Sequence, residues 1–128
     1  MRSIVKFGFV GAVALVFLAE FAAAHHSTVG RRSEEVTRIE GIVKEFQYQN
    51  PHSWIQVNVT DAQGNTVEWS AEWGIPNQLY RQGYGPSTFT PGDAVIMLLR
   101  QDLSGRPLGG FVGAKLGDGT TIGNWEEE

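Results

Sequence analysis

The sequence predicts a small, mostly β domain of the OB type: a five-stranded barrel with one short helix. Three observations predict it. Residues 54–60 and 66–73 alternate apolar and polar side chains with a period of two, as half-buried strands do. Three strand-like runs joined by short turns are followed by a helix-like stretch and two more strand-like runs. That is the element order of an OB-type barrel, with a β-roll of similar order as its nearest rival. The first 24 residues read as a leader and stand apart from the fold.

The leader comes first. Arg2 and Lys6 give a positive start, residues 7–18 are apolar, and "AEFAAA" follows. This is the order of a secretory signal peptide. The apolar run has 12 residues, against the roughly 20 a membrane span needs, so an anchored helix is the weaker reading. Small side chains at the last and third-last positions place the cut after Ala24. Cuts after Ala23 or Ala22 would put Phe21 or Glu20 in the third-last slot. The mature chain then starts at His25, is periplasmic or secreted, and carries no membrane span.

Residues 25–38, "HHSTVGRRSEEVTR", are polar and mixed in charge and read as an extended or mobile arm. The barrel is expected over 39–122. Residues 39–49 are rich in β-branched and aromatic side chains, and "NPHS" ends the run. In "WIQVNVT", Ile55, Val57 and Val59 face one way, with Gln56 and Asn58 opposite. After the turn "DAQGN", "TVEWSAEW" sets Val67, Trp69, Ala71 and Trp73 against Glu68, Ser70 and Glu72. Gly74 and Pro76 break the pattern. Residues 76–84 predict a short helix, with Pro76 in its first turn and Gly83 ending it; in an OB fold that helix plugs one end. "AVIMLLR" (94–100) reads as a strand buried on both faces. "DLSGRPLGG" reads as a loop, residues 111–116 as the fifth strand, and 123–128 as a solvated acidic tail.

Composition excludes several partners. The whole chain has 10 Lys+Arg and 14 Asp+Glu, a formal charge of −4. Without Arg2, Lys6 and Glu20 these become 8 and 13, or −5 over 104 residues. That balance argues against nucleic acid, whose recognition rests on phosphate neutralisation, and against an anionic membrane surface. There is no cysteine, so neither disulfides nor thiolate chemistry contributes.

"HHS" after the cut, "GIVKEFQYQNPHSWIQVNV", "VEWSAEWG", "PGDAVIM" and "LGDGT" resemble a family of small exported bacterial proteins classed as a domain of unknown function. The likeness spans nearly the whole mature chain, with "NPHSW" and "EWS" its most specific parts. It implies export and a single small β domain, and it brings no activity. His25, His26, Asn50, Pro51, His52, Trp54, Glu68 and Trp69 match its motif segments.

Two of the chain's three histidines, His25 and His26, follow the cut; the third is His52. An N-terminal histidine offers its freed α-amine and its ring Nδ1 as a chelate. His52, in the proline-flanked bend, supplies a third nitrogen, and His26 is secondary. Three nitrogens in a plane suit Cu(II), and bind Zn(II) or Ni(II) more weakly. The plain alternatives are an accidental terminus and an ordinary Asn-Pro-His-Ser turn. Transport or buffering of the ion then outranks redox chemistry.

A second reading is a small-ligand module on the aromatic face, using Trp54, Glu68 and Trp69. Trp69 alternates with Val67 and Ala71, which also suits core packing. A third reading has the arm docking onto another exported protein. Glu68 and Glu72 lie ~13 Å apart along a strand, too far for a glycosidase pair, but one of them is placed to orient His52 by a hydrogen bond. No nucleophile has a base in sight, so no enzyme is expected.

Overall fold

A computed structural model describes residues 30–126, and six strands and one helix occur within them. The strands are β1 (Thr37–Gln47), β2 (Trp54–Thr60), β3 (Thr66–Glu72), β4 (Ala94–Gln101), β5 (Leu108–Leu116) and β6 (Thr121–Gly123); helix α1 (Pro76–Arg81) joins β3 to β4. Alternating side chains and short turns make β1, β2 and β3 an antiparallel meander. Asp61 accepts the backbone N–H groups of Gln63 and Asn65, closing the second turn. β1 also pairs with β4, and β4 with β5. β3 then joins β5 in parallel, Ser70↔Leu108 through Glu72↔Gly110, and closes the sheet into a five-stranded barrel. This is the expected OB-type order.

The interior holds one residue in two from each strand. Ile55, Val57, Met97 and Leu99 are fully buried, and Val43, Ala71, Ala114 and Ile122 pack with them. Each large apolar side chain there contributes about 1.5–3 kcal/mol relative to exposure. Above this core sits a group of rings. Trp73 lies 4.6 Å from Phe111 and 5.0 Å from Tyr84, centroid to centroid, and Phe46 lies 5.3 Å from Phe89.

Several expectations are corrected. β4 is not buried on both faces. Val95, Met97 and Leu99 point inward, but Ile96 and Leu98 are half-buried on the outside, because a small closed barrel has only one interior. The fifth strand begins at Leu108, three residues earlier than expected. "LGG" resembles a loop, yet Gly109 lets β5 lie close against β4: a Cβ there would stand 2.3 Å from the Arg100 carbonyl oxygen. Val67 is 47 % exposed, since it lies outside the Ser70–Glu72 stretch that β5 covers. The helix runs from Pro76 to Arg81, with Gly83 beyond it at φ +92. Only its Leu79 is buried, and Leu79 lies outside the main core cluster. The rings of Trp73, Phe89 and Phe111 pack on one another, with centroids 4.6–6.0 Å apart.

The two flanks are also docked rather than free where they are described. Ser33 N–H donates to the Gln101 carbonyl (2.8 Å), Leu103 N–H to the Arg31 carbonyl (2.9 Å), and Arg32 bridges Asp102. At the other end β6 pairs with β5, and Asn124 N–H donates to the Val112 carbonyl (2.9 Å). Among the described residues, no helix is long and apolar enough to cross a membrane.

Candidate functional site

His52 stands in the β1–β2 loop, one residue after Pro51, whose peptide bond to Asn50 is cis. The next residue, Ser53, ties the bend down. Its N–H donates to the Gly74 carbonyl (3.0 Å) and its carbonyl accepts from Trp73 N–H (2.8 Å). The β2–β3 register then sets Trp54 opposite Glu72, which brings the Glu72 carboxylate under the His52 ring.

From there a chain of charged groups crosses the barrel mouth. His52 Nδ1 is bonded to Glu72 Oε1. Arg32 Nη2 donates to Glu72 Oε2 at 2.6 Å, and Arg32 Nη1 to Asp102 Oδ1 at 3.3 Å. Ser104 donates to Asp102 Oδ2 through both its hydroxyl and its backbone N–H. The chain thus links the β1–β2 loop to the β4–β5 loop, the two loops through which OB folds commonly bind ligands.

Burial deepens along it. The His52 side chain is 53 % exposed, those of Arg32 and Glu72 about one quarter, and that of Asp102 not at all. Partial burial pushes the Glu72 carboxyl up, but hydrogen bonds from His52 and Arg32 and their charges outweigh it, leaving a net downward shift. The Ser104 hydroxyl does most to hold the Asp102 carboxyl low. Burial opposes it, and the Ser104 N–H, the Arg32 charge and the Gly30 N–H add to it.

A carboxylate only accepts hydrogen bonds, so Nδ1 of His52 carries a proton toward Glu72 and Nε2 is the ring nitrogen left to face a ligand. That is how a metal-binding histidine is usually held, with a carboxylate behind it. Glu72 itself has both oxygens engaged, so it orients the ring and is not a ligand.

The other candidate residues are dispersed. Trp54 and Glu68 share the outer face of β2 and β3, separated by the Ser70–Gln56 hydrogen bond. Glu68 is exposed and pairs with Lys44. Its companion Glu72, not Glu68, meets His52. Trp69 lies opposite the buried Val57 and packs against the core from the inner face. Trp54, Glu68 and Trp69 therefore do not line one pocket. His25 and His26 lie outside the described residues. Among the described residues, no group of three or more His, Asp or Glu side chains is arranged to hold a metal ion.

Arg32 and Asp102 are the members of the site that the sequence did not single out. An arginine in a polar arm and an aspartate in a loop carry no spacing signal; only the fold brings them together.

A family model described as a family of unknown function, DUF6152, matches residues 13–111. No curated protein matches the chain, and neither does any solved structure.

Proposed function

The chain belongs to this family of unknown function, and for it we propose an exported, non-catalytic binding protein that holds a divalent metal of the Cu(II) class between the processed N-terminus and His52. The supporting observation is that Arg32, on the arm, shares the Glu72 carboxylate with His52. His25 lies seven positions before Arg32, an extended reach of roughly 23–25 Å. A chain that starts at His25 is then long enough to bring its first residue to the His52 ring.

In this reading the α-amine and Nδ1 of His25 chelate the ion and Nε2 of His52 gives the third nitrogen. His26 assists from the same arm. The planar nitrogen set favours Cu(II) over Zn(II) and Ni(II). Binding displaces a proton chiefly from the α-amine, whose usual pKa is ~7.7–8.0 against ~6.5 for imidazole. Affinity accordingly rises with pH up to about 8. Since the barrel contributes one nitrogen, the barrel without residues 25–29 is expected to bind Cu(II) only weakly.

The test is a Cu(II) titration of protein whose mass confirms a start at His25, repeated with one extra residue ahead of it. Tight one-to-one binding lost in the extended form supports the chelate. Equal binding in both forms, or none in either, overturns it. The aromatic-face reading has less support, because Trp54 and Trp69 sit on opposite faces of the sheet.

A further inference from the structure

The outer face of β4 carries a feature the metal site does not use. Ile96 and Leu98 form the floor of a groove of about 790 Å³. Val36, 47 % exposed, is one wall, and Val112 and Trp125 are the other. The Trp125 wall depends on a glycine. A Cβ on Gly113 would stand 2.3 Å from the Asn124 carbonyl oxygen and 2.9 Å from the Trp125 nitrogen, so only a bare backbone lets the C-terminal segment lie on β5.

The rim is cationic on an acidic protein. Among the described residues, Arg38, Arg100 and Lys115 line the groove with one acid, Glu126, whereas the whole chain carries −4. Strand register orders these charges: Arg38 lies beside Leu98, and Lys115 beside Ile96. Arg100, two residues beyond Leu98 on the same face, joins Arg38 at one end. Arg38 pairs with Glu40 (2.8 Å) with both side chains more than half exposed, and Arg100 donates to the Glu34 carbonyl. Exposed pairs of this kind are weak and yield to a better-placed anion.

We propose that this groove binds a single-chain fatty carboxylate, with the hydrocarbon on Ile96, Leu98 and Trp125 and the carboxylate between Arg38 and Arg100. The volume falls in the range of small-ligand sites, ~300–1,000 Å³, and the combination of apolar floor and cationic end matches an anionic amphiphile. No groove residue belongs to the His52 chain, so the two sites are separable.

The experiment is calorimetric titration of the full processed chain with straight-chain carboxylates from eight to twelve carbons, below micelle formation, alongside dodecanol. Saturable one-to-one binding is expected, tightening by up to roughly fourfold per methylene, with dodecanol at least tenfold weaker than laurate. Leu98→Glu, on the outer face, should abolish laurate binding. Arg100→Ala should weaken laurate about tenfold and leave dodecanol unchanged. Equal affinity for laurate and dodecanol overturns the proposal. So does affinity independent of chain length, full binding by a folded Leu98→Glu protein, or self-association through this face with no response to laurate.

Discussion

Glu68 and Glu72 are the same residue type on the same face of the same strand, yet they live differently. Glu68 is exposed and meets Lys44. Glu72 is three-quarters buried, bonded to both His52 and Arg32, and backed through Arg32 by the buried Asp102. The strand does not make the difference; what crosses it does. β5 pairs with β3 only from Ser70 to Glu72, and the arm crosses at the same place. Glu72, at one end of β3, is thereby better shielded than Glu68 at the other, 26 % exposed against 43 %. A charge pair in that more shielded setting interacts more strongly, whereas an exposed pair contributes little.

The largest break in this comparison is Arg32→Ala. It strips Glu72 and Asp102 of their shared partner and unfastens the arm. A loss of about 2 kcal/mol is expected, lowering Tm by roughly 10 °C in a domain of this size. A thermal melt followed by circular dichroism reads it, and a Tm within 2 °C of the parent would erase the distinction between the two glutamates.

Acid sharpens the same contrast. Glu72 and Asp102 are held below the ordinary carboxylate range. A depressed folded-state pKa contributes stability that is complete above the unfolded value, about 4, and lost as pH falls through the folded value. Stability should therefore be flat from pH 7 to about 5 and decline below about 4. The decline should be shallower in Arg32→Ala. Asp61 and Asp118, held low chiefly by backbone N–H groups in their turns, act equally in both proteins, so the difference between the two denaturation curves isolates the mouth.

Glu72→Gln keeps acceptor oxygen but removes charge. It should cost about 1 kcal/mol and, if the ring orientation serves a metal, weaken Cu(II) binding about tenfold. Lys44→Ala, at the exposed end, should move Tm by no more than about 2 °C. The smallest effect is expected at Ser53→Ala. The Ser53 hydroxyl is fully buried and has no partner among the described residues, so its loss should leave Tm unchanged or slightly higher.

The barrel was readable because alternation survives in the chain: Ile55, Val57 and Ala71 declare their face. β4 misled because Ile96 and Leu98 are as apolar as Met97 and Leu99, and composition does not distinguish an outer apolar stripe from a second core. The β5 start was hidden by Gly109 and Gly110, which read as loop although Gly109 lies close against the β4 backbone. Within the site, His52 and a glutamate partner followed from the strand order, but choosing Glu72 over Glu68 needed the register. Arg32 and Asp102, seventy residues apart, were beyond any local pattern.

The central claim is that the arm and the proline-flanked bend supply nitrogens to one ion. Electron paramagnetic resonance of the Cu(II)-loaded protein beginning at His25 tests it most directly. The account predicts superhyperfine coupling to three nitrogens, reduced to two by His52→Ala. A spectrum that His52→Ala leaves unchanged would contradict it.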